Sequence, residues 1–276
     1  MTRHALALRS LAGVVGLALA VLAATLGPAV FFPAEGTPVL DNHPGALWRV
    51  VHDLCVVDRR LTGLPAPCMA VRLREGWAVV KDTREPTHIV VVPTRRVAGI
   101  ESRILLEPGA PNYWRDAWKA RRYFERLLGR QAPRGTFALV INSLYGRTQD
   151  QLHIHIDCIQ PQVADALKQA APDVGAAWAP LHVSVAGQRF EARRIDGEDL
   201  DRNLFKLLAS GDLDARANMA AYTLAAVPWT FTGDEPGFIV LAHRADLAHG
   251  DPGNGESLLD YQCSLLRAPS RTAELR

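Results

Sequence analysis

The sequence lacks an excess of either charge. Its 31 Lys and Arg stand against 29 Asp and Glu, and the small surplus is carried by Arg3 and Arg9, ahead of the rest of the chain. Everything after them is formally neutral, so there is no broad field for a polyanion and nucleic acid is excluded as an expected partner. Cysteine is scarce, limited to Cys55, Cys68, Cys158 and Cys263. No internal repeat and no long disordered linker breaks the chain. The roughly 240 residues beyond the N-terminal segment are therefore expected to form one compact domain.

Charge is also missing from Leu11 to Phe32, a run rich in Ala, Leu, Val and Gly. About 20 apolar residues span a hydrocarbon core, so this run predicts a transmembrane helix. The upstream arginines predict that the N-terminus stays in the cytoplasm. The expected organisation is a cytoplasmic segment 1–10, a signal-anchor 11–32, a linker 33–45 and a domain 46–276. The competing reading is a cleaved signal peptide, whose apolar region is usually shorter, and Ala18-Leu19-Ala20 fits its cleavage pattern only from inside the run. Both readings deliver the domain to an oxidising compartment, where four cysteines suggest two disulfides among three possible pairings. Pairing Cys55 with Cys68 closes a short loop containing Pro65 and Pro67. Cys158 with Cys263 would then tie the C-terminal segment to the strand described next.

Gln151-Leu152-His153-Ile154-His155-Ile156-Asp157-Cys158 alternates polar and apolar residues, as a half-buried β-strand does. Gln151, His153, His155 and Asp157 share one face, and Leu152, Ile154, Ile156 and Cys158 the other. Elsewhere the spacing predicts helices over Ala46 to Cys55, Tyr113 to Leu128, Val163 to Ala171 and Leu200 to Ala209. Strands are expected at Trp77 to Lys81, His88 to Val92 and Phe137 to Ile141. One or two more fall in Leu181 to Ile195. Tyr222 to Thr230 and Phe238 to His243 pair across a turn at Thr232 to Gly237.

A histidine on a strand is held by the sheet, and its neighbour at i+2 can grip the same phosphate or set its tautomer. The preceding loop, Ser143 to Arg147, can present backbone N–H groups and an arginine to that phosphate. Such a site suits substitution at phosphorus by a histidine nucleophile.

These residues resemble the histidine triad superfamily, whose signature is three alternating histidines after a Gly-Gln-Ser/Thr turn. Gly146-Arg147-Thr148 stands at the turn, and Gln151, His153 and His155 occupy the triad positions. A second patch, Asp82, Pro86-Thr87-His88, Ile89 to Pro93 and Arg96, is similar to the superfamily's Asp…Pro-Thr-His-strand-Pro segment. The nearer resemblance is to one branch, the membrane-anchored CDP-diacylglycerol pyrophosphatases. It is carried by Pro93-Thr94-x-Arg96, Glu101-Ser102, Pro111-Asn112, Ala117-Trp118-x-Ala120-Arg121, Ile141-Asn142-Ser143, Ala192-Arg193-Arg194, Tyr222, the cysteine positions and the apolar N-terminus.

The resemblance implies an α+β, HIT-like antiparallel sheet with packed helices behind one transmembrane helix, in the bacterial inner membrane with the domain in the periplasm. It implies cleavage of a phospholipid, CDP-diacylglycerol, to CMP and phosphatidate without metal or cofactor. His153 would attack phosphorus and His155 would hold a non-bridging oxygen. Thr148 and Asn142 would position the phosphate, and Asp82 the ribose. Arg147, Arg96 and Arg193 would meet the diphosphate charge. Gln151 departs from the motif, supplying a hydrogen bond but no positive charge, and Gln151→His is expected to raise activity or leave it similar.

Plainer readings stand beside these. Asp82 is also a good turn residue, Arg193-Arg194 reads equally as surface charge, and Trp114 and Trp118 at helical spacing read as core. His88 reads as local packing or a cap. From other classes, His153, His155 and Asp157 form a two-histidine, one-carboxylate set for a metal-dependent phosphohydrolase. A membrane-tethered nucleotide- or lipid-binding protein with lapsed catalysis is the third alternative.

Overall fold

The computed structural model describes residues 43–267, so the expected segments 1–10 and 11–32 and nearly all of the 33–45 linker lie outside the described residues. Those described belong to one compact unit, and no helix among them is long and apolar enough to cross a membrane.

Nine strands make one antiparallel sheet among the described residues. They are β1 (Ala70–Arg72), β2 (Trp77–Lys81), β3 (Ile89–Pro93), β4 (Phe137–Ile141), β5 (Ile154–Cys158), β6 (Ala179–Pro180), β7 (Glu191–Asp196), β8 (Tyr222–Phe231) and β9 (Glu235–Arg244). Their order is β1-β2-β3-β5-β4-β8-β9-β7-β6. The histidine strand β5 is therefore interior, with β3 and β4 on either side.

Alternation along the strands divides the core into two sides. On one side Leu139, Ile154, Ile156, Ala226 and Val240 meet the helix α3 (Tyr113–Leu128). Asn112 accepts from the Arg115 N–H at its start, and Gly129, at φ 77°, closes its end in the left-handed region. Its buried side carries Trp114, Trp118 and Phe124 into the core, each worth roughly 1.5–3 kcal/mol.

The other side holds two groups. Val140, Ala225 and Leu241 pack on Val163 and Leu167 of α4 (Pro161–Ala170). Val80 and Val90 pack on Leu47, Val50 and Val51, which belong to α1 (Ala46–Arg49) and a π-helical stretch, Val50–Cys55, that runs on into α2 (Val56–Leu61). The helix expected to end at Cys55 thus continues to Leu61. Val56 stays buried, and the chain is stopped only at Gly63, at φ 81°.

Other boundaries shift for identifiable reasons. The helix expected from Leu200 begins as α5 (Leu204–Gly211), because the Asn203 side chain accepts from Phe205 and Lys206 and sets its start. A short α6 (Leu213–Ala217) follows, capped by Asp212. Of Leu181 to Ile195 only Glu191 onward is strand, since a turn with positive φ at Ala186 and Gly187 precedes it. The turn expected over Thr232 to Gly237 is tighter, with positive φ at Gly233 and Asp234 and β9 starting at Glu235.

Two disulfides join Cys55 to Cys68 and Cys158 to Cys263. The second closes a separation of 105 residues and brings the C-terminal segment back to β5. That segment lies close on the sheet. A Cβ on Gly146 would come within 2.6 Å of the Gly253 carbonyl oxygen, and one on Gly255 within 2.4 Å of a Val140 methyl. Both positions therefore require the absence of a side chain.

Candidate active site

The register shows how the sheet assembles a polar patch. His155 pairs with Val90 of β3 and Val140 of β4, and one step of two residues puts His88 and Asn142 on the same face. Asn142 continues toward Thr223 and His243 along β8 and β9. The face is not half-buried, as alternation suggested. His153 and His155 are 7% and 4% exposed, because the C-terminal segment covers them.

His153 stands just before β5. Its Nδ1 lies 2.6 Å from the Gln151 carbonyl oxygen. A carbonyl can only accept, so Nδ1 carries the proton and Nε2 keeps its lone pair. Burial pushes the ring's pKa below the ordinary histidine value, only partly opposed by that carbonyl and the charge of Glu256. The ring is thus a neutral imidazole at physiological pH, with one nitrogen available as a nucleophile.

His155 meets His153 edge-on, with ring centroids 4.8 Å apart. Its Nδ1 is 2.9 Å from Nε2 of His88, and the two rings stack at 5.1 Å. On the far side of His88, its Nδ1 faces an Asp82 carboxylate oxygen at 3.7 Å. On the far side of His155, its Nε2 faces Glu256 at 3.5 Å. The order is Asp82, His88, His155, Glu256, a carboxylate at each end of two stacked imidazoles. Proximity to His88, against the cost of burial, and the Arg84 contacts hold Asp82 well below the usual carboxylate range. Burial drives His155 down. Burial opposes ionisation of Glu256, but His155, the Tyr261 hydroxyl and the Asn142 amide together lower its pKa.

Glu256 comes from the turn Gly255–Leu258. One oxygen accepts from the Asn142 side-chain amide at 2.8 Å, and the other from the Tyr261 hydroxyl at 2.6 Å. Asn142 also accepts from the Gly255 N–H, so it binds the covering segment on both its donor and acceptor sides. The Tyr261 ring lies 4.9 Å from His88.

Other residues singled out by the sequence are placed differently. The Gln151 side chain makes no hydrogen bond to either histidine. Fully buried, it accepts from Val97 N–H and donates to the carbonyls of Pro93 and Arg95. Its contribution to the site is its backbone carbonyl. Arg147 is buried in a bidentate pair with Glu101, at 2.6 and 2.9 Å, and also bonds Asp150. The N–H groups of Tyr145 and Gly146 are taken by the Ser143 hydroxyl. Two N–H groups and the arginine of the loop expected to cradle phosphate are therefore already taken.

Thr148 is exposed on that loop. Arg96 is exposed and lies over the Trp48 ring. Arg193 pairs with Val240, whose side chain belongs to the opposite side of the sheet, and its strand is four places from β5. Its guanidinium lies over Trp178.

The metal trio His153, His155 and Asp157 is not brought together either. Asp157 accepts from the Thr87 hydroxyl and the Cys158 N–H beside the Cys158–Cys263 bridge, and burial raises its pKa to about 6. Among the described residues the ligand atoms of His88, His155 and Glu256 do converge, within 4.8 Å, whereas those near Asp157 are the bridged sulfurs of Cys158 and Cys263. His88 and Glu256 are the participants that local reading missed. His88 was within reach, since its Pro-Thr-His patch leads into a strand antiparallel to β5. Glu256 has no local signal.

A cavity of about 710 Å³ lies elsewhere, along β7 and β9. It is lined by His243, Asp251, Arg189 and Arg244 among others and includes neither His153 nor His155.

Comparison with known proteins places this geometry in context. A family described as CDP-diacylglycerol pyrophosphatase matches residues 42–267. A protein of Yersinia pestis named CDP-diacylglycerol pyrophosphatase is 38% identical over 228 residues, covering 82% of this chain and 86% of that relative.

Proposed function

The chain belongs to the CDP-diacylglycerol pyrophosphatase family, and from that premise and the geometry of the paired histidines we propose that it hydrolyses the diphosphate of CDP-diacylglycerol to CMP and phosphatidate at a histidine-triad-type site. One observation carries the mechanism. The Gln151 carbonyl holds His153 in the tautomer that leaves Nε2 free.

In the first step Nε2 of His153 bonds to the phosphorus of the CMP moiety. The P–O bond to phosphatidate breaks, and phosphatidate leaves with the electron pair as an anion. In the second step water attacks the same phosphorus, the P–N bond breaks and CMP departs. His155, fixed by His88 on one side, lies against His153 where a phosphoryl oxygen would be held. Asp82 acts through His88, and Asn142 through the covering segment. Donors set in place before reaction stabilise the developing phosphoryl charge. Arg193 is left out of this scheme.

The uncharged run Leu11 to Phe32 anchors the domain to the membrane in this reading, and the two disulfides favour the periplasmic side. A metal-dependent reading draws on the convergence of His88, His155 and Glu256. Turnover of CDP-diacylglycerol by the purified full chain, read as CMP release, tests both. The expected result is turnover that survives chelation and an acid-labile CMP adduct on His153. Activity lost to chelator and restored by one divalent metal would overturn the nucleophilic reading. Binding without turnover would mark a lapsed enzyme.

A further inference from the structure

We propose that Glu256 is the base that takes the proton from water in the hydrolytic half of the reaction. This rests on the nucleophilic reading of His153 and deepens it. A nucleotidyl-histidine is discharged only if a water is oriented at phosphorus and loses a proton. His153 cannot do this, because its Nε2 is then bonded to phosphorus and its Nδ1 proton is committed to the Gln151 carbonyl.

His155 is also poorly placed for it. One ring nitrogen is spent on His88, and the other faces the Glu256 carboxylate. A carboxylate favours an N–H opposite it, so that nitrogen carries a proton rather than a lone pair. Burial keeps His155 neutral, so with its single proton at Nε2 its Nδ1 lone pair is the one engaged by His88, and none is left to accept another.

Glu256 is the carboxylate at the end of this chain nearer His153. Its charge acts on both His153 and His155, and Asn142 and Tyr261 hold one oxygen each. A carboxylate oxygen has two lone-pair directions. Oε1 meets both the Asn142 amide and the His155 ring, so it is Oε2, held by Tyr261 alone, that has one left to accept a proton. The other carboxylates near the pair are spoken for. Asp82 lies beyond His88 and is gripped by Arg84 through two donors, while Asp157 is fully buried under Thr87 and the disulfide.

The balance is simple. Water oxygen forms the new P–O bond, its proton goes to Glu256, and the P–N electron pair returns to His153 as a neutral ring. Release of that proton to solvent resets the site.

A carboxylate that merely clamped the C-terminal segment would look similar in the structure, so the experiment must separate half-reactions. With Glu256→Gln in the full chain in detergent micelles, phosphatidate release should show a burst of about one equivalent. CMP release should slow by about 10²-fold or more, as expected for loss of a general base. The CMP adduct should accumulate on His153. Glu256→Asp, which keeps the charge, should recover part of the hydrolysis. Turnover by the Gln variant within a few-fold of the parent, or equal slowing of both half-reactions without adduct while the melting temperature is kept, overturns the proposal. If Gln unfolds the chain, the Asp variant decides, slowing confined to CMP release supporting the proposal and equal slowing of both half-reactions overturning it. The underlying reading fails in a different way, with His153→Ala still turning over.

Discussion

His153 and His243 end one polar row that crosses the sheet through Asn142 and Thr223. Both rings are 7% exposed, and both have Nδ1 on a backbone carbonyl, of Gln151 and Arg189 respectively. The difference is at Nε2. In His243 it is 2.7 Å from Asp251, a carboxylate that also receives the Gly253 N–H. Both nitrogens of His243 are therefore engaged by the protein. In His153, Nε2 is uncommitted. A cavity of about 710 Å³ is lined by His243, whose two nitrogens are already engaged. Space admits a ligand, but an available electron pair is what attacks phosphorus.

Substituting the two rings is the strongest way to break that comparison. His153→Ala is expected to cut CMP release from CDP-diacylglycerol by about 10³-fold or more, as loss of a nucleophile does, with little change in melting temperature. His243→Ala should do the reverse. Turnover should stay within a few-fold, while the loss of two buried hydrogen bonds costs about 1–3 kcal/mol, read as a lower denaturant midpoint. Equal losses of turnover in both variants would return the cavity to contention as the reaction centre.

Gln151→His sharpens the comparison by asking what holds His153 in place. The motif alone suggests that restoring the histidine should help or do no harm. The Gln151 amide, however, accepts from Val97 and donates to two carbonyls at 3.1 and 2.8 Å, and an imidazole cannot reproduce one acceptor and two donors in that geometry. The expected outcome is a loss of about 2–3 kcal/mol of stability, at about 1 kcal/mol per hydrogen bond, with no gain in turnover. A more active and equally stable variant would mean that the loop tolerates the motif residue and that Gln151 is not a structural tie.

The contrast between these residues also shows what was legible in advance. Tyr113 to Leu128 and Phe137 to Ile141 were readable because their periodicity and end signals are local. The histidine strand was readable for the same reason, down to which residues face which side. Its burial was not, since the cover comes from a segment about a hundred residues later. The Glu256 position follows from close approaches at Gly146 and Gly255 and from the Cys158–Cys263 bridge, each of which joins the covering segment to residues about a hundred positions away in the sequence. Arg193 was attractive as a charge near a motif, and only sheet order shows it on the opposite side. The strand β7 itself was blurred into a longer stretch because its strand character depends on pairing with β9.

The smallest expected effect is in the pH profile, and it tests whether burial or the hydrogen bond governs His153. Attack needs the neutral ring. Burial lowers its pKa, and the Gln151 carbonyl and the Glu256 charge pull the other way with less effect. The ring should therefore stay neutral as pH falls below 6.5, the ordinary value for histidine. The acid limb of kcat/KM for a monomeric, short-chain CDP-diacylglycerol should then lie below that value. Glu256→Gln removes an upward pull, so in the burst of phosphatidate the limb should move lower still. A limb at or above 6.5 in the parent would show that the carbonyl and carboxylate outweigh burial. His153 would then be protonated over part of the neutral range, and its advantage over His243 would shrink to a matter of pH.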